Sequence, residues 1–240
     1  MRTVTDPNQN PDTRLSYDAL GRLQNTVDAL SQSTEYQYNL ADKVIAVQSP
    51  NGATTRYQYD DLGNQLLEVS PDRGVIQYTY DAAGNVLQTR DARNITVKYD
   101  YDALNRLAMV RYPDSSENLS YRYDSAKGCV IGALCSASTG EVTTAYQYDY
   151  WGNITEQRER VAGDSKVTQY RYDSGNRLIG MTYPDGREIS YQRDVLGRVE
   201  SLMSNTNTVL NGREYRADGG FTQQIFGNGV REQRTYDKQG

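Results

Sequence analysis

Aspartates are the residues best placed to do chemistry in this chain of 240 residues, because it has 31 acidic side chains and no histidine. Ser-His-Asp and Cys-His catalysis and histidine-ligated metals are thereby excluded. Asp173-Ser174-Gly175 matches the short signature of aspartic proteases, in which two carboxylates share a proton. The signature has no second copy, and the related "YDALNRL" at 101–107 places its aspartate at the start of a turn. The sequence therefore predicts no enzyme and no catalytic residue.

The aspartates also recur at nearly regular intervals, which raises the question of cation binding. They are Asp18, Asp60, Asp81, Asp102, Asp124, Asp149, Asp173, Asp194 and Asp237. Calcium needs about six to eight oxygens at roughly 2.3–2.6 Å, whereas equivalent residues two strands apart in a sheet are about 10 Å from one another. Capping of turns by these carboxylates is the preferred interpretation, and we expect no metal and no cofactor.

The two cysteines, Cys129 and Cys135, lie in an irregular stretch of the chain. Free thiols are the preferred interpretation and a local disulfide is the alternative. A metal site is not expected, because the chain has no histidine and no further cysteine.

Each recurring aspartate belongs to a longer repeated unit, and these units are the elements that position it. The tyrosine before the aspartate, or its equivalent, marks each unit, and successive markers are 21 to 25 residues apart. The markers are Tyr17, Tyr38, Tyr59, Tyr80, Tyr101, Tyr123, Tyr148, Tyr172, Arg193, Tyr215 and Tyr236. About eleven repeats in one array, 1–240, thus account for the whole chain.

Each unit has the pattern of two strands and two turns. Tyr57 and Tyr59, like Tyr78 and Tyr80, are two residues apart, which in a strand puts both rings on one face. Segments such as "DDLGN" and "DAAGN" combine an aspartate, which caps the backbone, with a glycine or asparagine that tolerates positive φ. An apolar return strand follows, and then a turn such as "SPNG" or "YPDG". Short turns join antiparallel neighbours, so the sequence predicts an all-β antiparallel meander of about 22 strands.

A strip of that length has to bend, because open sheets rarely exceed about 10 strands. A sandwich needs one nearly continuous apolar face, but only 37% of the residues are hydrophobic and 21 are tyrosines. Tyrosine suits a wide shell with two wet faces, because it has a large ring and a hydroxyl. The same rings would also suit a platform that stacks sugars. We expect a hollow, spiral shell whose framework residues are Tyr17, Asp18, Gly21, Tyr59, Asp60, Gly63, Tyr80, Asp81, Gly84, Tyr101, Asp102, Tyr148, Asp149, Gly152, Tyr172, Asp173, Asp194 and Gly197.

The repeated unit resembles the YD repeats of the Rhs family, which also occur in the B and C components of Tc toxins and in teneurins. The clearest copies are "YDALGRL" (17–23), "YDAAGNVL" (80–87), "YDYWGNI" (148–154) and "RDVLGRV" (193–199). The resemblance covers nearly the whole chain. It implies a cocoon spun from β-hairpins, within which bacterial members enclose a toxic polypeptide. The family's self-cleaving core motif is not found, so the resemblance assigns no self-cleavage, and the chain is expected to be a fragment of a longer shell.

The repeat is interrupted near 124–147, where "CVIGAL" is either a strand with a long approach loop or a segment folded into the lumen. The function expected from the residues and the resemblance is encapsulation of a toxin or effector polypeptide, with the remaining Rhs shell as a second partner. A surface carbohydrate-binding or adhesive module is the alternative.

Other partners are disfavoured by composition and charge. The net charge of -5, without a basic cluster, argues against nucleic acid. No apolar run approaches the length of a membrane span, and the first residues lack the character of a signal peptide. The resemblance to bacterial Rhs proteins implies export through a dedicated secretion or toxin-complex route, which is the expected localisation.

Overall fold

A computed structural model describes residues 2–4, 13–124 and 128–236, and side chains from residue 13 onward. Asp237 of the recurring aspartates lies outside these ranges. The described residues form 22 β-strands and one 3-10 helix, Ser115–Glu117. The predicted all-β class is confirmed. None of the described residues belongs to a helix long and apolar enough to cross a membrane.

The chain divides into two compact units, Met1–Asn118 and Leu119–Gly240. In the first unit each strand pairs with the next in chain order, always antiparallel. Its strands are β1 (Arg2–Val4), β2 (Thr13–Tyr17), β3 (Leu23–Val27), β4 (Ser33–Tyr38), β5 (Val44–Gln48), β6 (Thr54–Tyr59), β7 (Gln65–Ser70), β8 (Gly74–Tyr80), β9 (Val86–Arg90), β10 (Thr96–Tyr101) and β11 (Leu107–Arg111).

The second unit has the same antiparallel meander. Its strands are β12 (Leu119–Tyr123), β13 (Leu134–Thr139), β14 (Val142–Tyr148), β15 (Ile154–Val161), β16 (Asp164–Tyr172), β17 (Leu178–Thr182), β18 (Glu188–Arg193), β19 (Val199–Ser204), β20 (Asn207–Tyr215), β21 (Phe221–Phe226) and β22 (Arg231–Gln233). The meander of hairpins predicted from the repeat is thus present in both units.

Alternating exposure shows how the sequence forms these strands. In β8, Ile76, Tyr78 and Tyr80 are half-buried, whereas the residues between them are exposed. β-branched and aromatic residues fit this pleated, half-buried surface well. The register shifts once in the β6–β7 hairpin, because Gln58 faces Leu67 but Tyr59 faces Gln65. This β-bulge at the tyrosine increases the local twist of the strands.

Both units are thin. Among the described residues the buried apolar side chains are Ala46, Val110, Cys135 and Leu210, and no large side chain is fully buried. The extensive strand contacts are all between neighbours in the chain. Stability therefore rests on cross-strand pairs and hydrogen bonds, each of which contributes little by itself.

The interrupted repeat contains a disulfide, so the preferred interpretation of Cys129 and Cys135 as free thiols is wrong. The two residues are bonded, with their Cα atoms 5.4 Å apart. The backbone N–H of Ala133 donates to the carbonyl of Val130 at 3.1 Å, and this turn brings the two cysteines within bonding reach. Of "CVIGAL", only its last residue, Leu134, lies in a strand, and Ile131 is exposed.

Candidate functional site

Nine turns share one backbone geometry, and we call them YD turns; they follow Tyr17, Tyr38, Tyr59, Tyr80, Tyr101, Tyr148, Tyr172, Arg193 and Tyr215. In Asp60–Asn64, the Asp60 N–H donates to the Asn64 carbonyl at 2.9 Å and the Gly63 N–H donates to the Asp60 carbonyl at 3.1 Å. Gly63 has φ of 85°, which is the left-handed residue of a short hairpin loop. Glycine adopts this conformation without steric cost, and asparagine is the next best residue.

Where a YD turn begins with an aspartate, both of its carboxylate oxygens accept hydrogen bonds. Asp60 Oδ1 accepts the N–H groups of Leu62 at 3.0 Å and Asn64 at 2.8 Å, while Oδ2 accepts the Asn64 side-chain amide at 2.9 Å. Asp81 and Asp149 have the same set of partners. Where arginine replaces the asparagine, its guanidinium takes the place of the amide, as at Asp18, Asp102, Asp173 and Asp194.

Asp173 is therefore placed as a turn residue, and the Asp173-Ser174-Gly175 signature has an ordinary structural role here. Its Oδ1 accepts the N–H of Gly175 at 2.8 Å and of Arg177 at 3.0 Å, and its Oδ2 accepts Arg177 Nε at 2.7 Å. Within the described ranges, no group of three or more carboxylates, cysteines or histidines is arranged to hold a metal ion. The geometry of these aspartates is that of caps.

These hydrogen bonds favour the ionised carboxylates. The Asn64 side chain lowers the pKa of Asp60 below its ordinary value, and the Arg22 backbone N–H does the same for the pKa of Asp18. The pKa of Asp194 is also lowered, although partial burial acts to raise it, because Arg198 donates from both its backbone and its side chain. The caps are thus fully charged at neutral pH.

The marker tyrosines connect one repeat to the one before it. The Tyr59 hydroxyl donates to the Val44 carbonyl at 2.9 Å and the Tyr80 hydroxyl donates to the Gln65 carbonyl at 2.8 Å. Tyr101 makes the same bond at 3.0 Å. The equivalent hydroxyl also donates to a backbone carbonyl of the preceding repeat in Tyr38, Tyr148, Tyr215 and Tyr236. We call this bond the tyrosine clamp.

The clamp closes a gap in the backbone ladder. Pairing between β7 and β8 ends at Leu67, which faces Gln77, so the Gln65 carbonyl lies two residues beyond the last paired residue. The Tyr80 ring extends over this gap and its hydroxyl replaces the missing N–H donor. Partial burial raises the pKa values of Tyr59, Tyr80, Tyr101, Tyr148 and Tyr172, which keeps their hydroxyls protonated.

Three markers depart from the clamp in informative ways. Arg193 replaces the tyrosine but keeps the donor, because its guanidinium donates to the Leu178 carbonyl at 2.7 Å. Tyr17 is 40% exposed, and Tyr172 is half-buried. Neither of these two hydroxyls makes the clamp bond within the part of the chain that the structure describes.

A second connection between repeats was missed by the sequence analysis. In some YD turns the residue that follows the glycine reaches the next YD turn. Arg22 Nη1 donates to Asp42 Oδ1 at 2.7 Å, and its guanidinium lies 4.8 Å from the centre of the Tyr38 ring. Asn85 reaches Asn105 in the same way, at 3.1 Å. The recurrent Gly-Arg and Gly-Asn pairs were the available signal.

The two faces of the first unit differ in chemistry. One face carries Tyr36, Tyr57, Tyr78 and Tyr99, all half-buried, and we call it the tyrosine face. The opposite face carries exposed charged and amide side chains, including Glu35, Arg56, Gln77 and Lys98. The tyrosine face is therefore suited to aromatic and apolar contacts, and the opposite face is suited to contact with water.

A concavity of about 610 Å³ opens on the tyrosine face near the end of the first unit. Its lining residues are Ile76, Tyr78, Thr89, Asp91, Arg93, Ile95, Val97, Tyr112, Pro113, Asp114 and Glu117. Its volume is in the range of small-ligand and side-chain pockets, about 300–1,000 Å³. None of the predicted framework residues lines it, so sequence reasoning did not find this site.

Comparison with known families identifies the same kind of repeat that the hairpins show. The family model described as RHS Repeat matches residues 17–54, 38–75, 80–117, 157–188 and 172–208, which together make up more than half of the chain. No curated protein matches the chain significantly.

Two solved structures illustrate the likeness in fold. A mutant Tc holotoxin pore of Photorhabdus luminescens superposes with a TM-score of 0.80 at 18% identity, covering 98% of this chain and 14% of that one. The crystal structure of TcdB2-TccC3 superposes with a TM-score of 0.65 at 15% identity, covering 94% of this chain and 16% of that one. This chain therefore spans only about a seventh of the length of these solved chains. At such identities the likeness is one of fold.

Proposed function

The chain belongs to the RHS repeat family, and from that premise we propose that it is a non-enzymatic segment of a curved β-shell that encloses and shields a toxin or effector polypeptide before delivery. The partners would be that polypeptide, from the same or an associated chain, and the rest of the shell. The whole span 1–240 would act as a single array. Export would follow a secretion or toxin-complex route.

The observation that carries this proposal is the way one repeat is attached to the next. Every clamp and every reach from turn to turn joins neighbouring repeats, as Tyr80 joins Gln65 and Arg22 joins Asp42. Such a strip extends by adding repeats and needs no growing core. A strip of this kind is suited to building a wall, and the described carboxylates that cap its turns are already committed to backbone and side-chain donors.

The similarity in fold to Tc toxin structures supports the proposal. The small number of buried apolar side chains in both units supports it as well. A shell that must release its contents benefits from an inner face without a continuous dry interface, because burial of a large apolar area would hold the cargo tightly. Half-buried tyrosines provide contacts of intermediate polarity.

Limited proteolysis of the full-length parent protein tests the proposal. The cargo inside the intact protein should be cut at least tenfold more slowly than the same cargo expressed alone, and brief heating that opens the shell should abolish the difference. Equal rates of cutting in the intact protein and in the free cargo would refute enclosure.

A further inference from the structure

The concavity on the tyrosine face combines an apolar floor with an acidic rim. Ile76, Ile95 and Val97 contribute the apolar surface, and the Tyr78 and Tyr112 rings stand beside it. No other repeat in the described part of the first unit is followed by a tyrosine, a proline and a 3-10 turn as at 112–117. The longer turn supplies a wall that the tight turns elsewhere do not.

The charges around the rim are unbalanced. Arg93 is the one lining cation and pairs with Asp91, at 2.9 Å from its Oδ2. The Asp114 Oδ1 accepts the N–H and hydroxyl of Ser116 at 2.9 and 2.7 Å, which orients the carboxylate without neutralising it. Glu117 is exposed on the same wall. Two carboxylates thus face the concavity without a lining cation to balance them.

The second unit offers a natural contrast. A smaller concavity of about 230 Å³ lies against Tyr170, Tyr183 and Pro184, so it is built around the same tyrosine and Tyr-Pro turn. Its acid and base, Glu159 and Lys166, face each other across paired strands. The rim charge is therefore balanced in this concavity, unlike in its counterpart in the first unit.

We propose that the concavity of the first unit binds an extended peptide segment in which an apolar side chain is flanked by lysine or arginine. The apolar side chain would enter between Ile76, Ile95 and Val97, and the flanking cations would lie against Asp114 and Glu117. Apolar burial supplies affinity, and the uncompensated carboxylates select the sign of the charge. That this segment belongs to the enclosed polypeptide rests on the proposed function, whereas the binding chemistry does not.

Fluorescence anisotropy of the full 240-residue chain with a labelled pentapeptide, Lys-Leu-Lys-Phe-Lys, tests the inference at low ionic strength. The control probe has glutamate in place of each lysine. The test variant is Glu117→Lys, and the matched control is Glu141→Lys, which makes the same charge change at an exposed position outside the concavity. Ile95→Ala removes part of the apolar floor without altering charge.

We expect the lysine probe to bind and the glutamate probe to bind at least tenfold more weakly. Glu117→Lys should weaken binding of the lysine probe on the order of tenfold, because an attraction becomes a repulsion at short range. Ile95→Ala should weaken it several-fold, and Glu141→Lys should change it less than twofold. The inference is overturned if the lysine probe does not bind, if both probes bind equally, or if Glu117→Lys and Glu141→Lys weaken binding of the lysine probe to the same extent. Such a failure would leave the enclosure proposal standing, because protease protection of the cargo tests that separately.

Discussion

The Tyr80 clamp offers the sharpest test of how the repeats are joined. Tyr80→Phe removes only the hydroxyl that donates to the Gln65 carbonyl at 2.8 Å and leaves the half-buried ring in place. A neutral hydrogen bond contributes about 0.5–1.5 kcal/mol net. The freed carbonyl lies at a half-buried position that water can partly reach, so the loss should stay near 1 kcal/mol.

Hydrogen exchange measured by mass spectrometry resolves this loss by segment. A loss of about 1 kcal/mol accelerates exchange from locally opened states roughly fivefold. Because strands contact mainly their chain neighbours, the acceleration should be confined to peptides from β7 and β8 and fade within one repeat. The control is Tyr150→Phe, since the Tyr150 side chain is 91% exposed.

The clamp account is refuted if Tyr80→Phe exchanges like the Tyr150→Phe control. It is also refuted if the acceleration spreads evenly over the first unit, because that would mean that the unit opens as one body instead of repeat by repeat.

Three further predictions follow from the turns and the disulfide. Gly84 has φ of 84° and its added Cβ would meet only Asn64 Oδ1 at 3.7 Å, so Gly84→Ala should lower the free energy of unfolding by about 1–2 kcal/mol through backbone strain alone. Gly84→Asn should lower it by less than half as much, because Asn105 and Asn176 occupy the same turn position at φ of 59° and 58°. Equal losses of unfolding free energy for the two variants in urea titrations would contradict this. The pKa of Asp81 is lowered by the Asn85 side chain and that of Asp102 by the Arg106 backbone N–H. A carboxyl with a lowered folded pKa stabilises the fold above its ordinary pKa of about 3.9 and loses that contribution as pH falls through the folded value. Urea midpoints should therefore stay roughly constant between about pH 5 and pH 7 and fall steadily below about pH 4, whereas a midpoint unchanged down to about pH 2 would show that the caps contribute nothing. Reduction of the Cys129–Cys135 disulfide, whose partners are six residues apart, should destabilise the second unit by roughly 2 kcal/mol through loop-closure entropy; labelling of both thiols by iodoacetamide before any reductant is added would contradict the bond itself.

The fold was predictable because its signals are local and repeated. The two-residue spacing of Tyr57 and Tyr59 and of Tyr78 and Tyr80 indicates strands, and the Asp and Gly of "DDLGN" indicate the turn between them. Each repeat predicts the same strand pairing, so a repeat with an imperfect pattern can be assigned from the clearer copies. The all-β meander follows from these short-range patterns.

The connections between repeats were not predictable in the same way. The bond from Tyr80 to Gln65 depends on where the β7–β8 ladder ends, and that register is set by a bulge and a turn together. The disulfide was misjudged because the turn from Val130 to Ala133 has no strong sequence signal beyond Gly132. The concavity depends on side chains from β8, β9, β10 and two turns, which no single repeat contains.

Electron cryo-microscopy of the intact parent protein tests the central claim most directly. The account predicts a continuous β-wall around a space that holds separate density, and a variant without the effector segment should show the same wall with that density lost. An effector resolved outside the wall, or repeats packed into a solid double layer with no interior space, would contradict it.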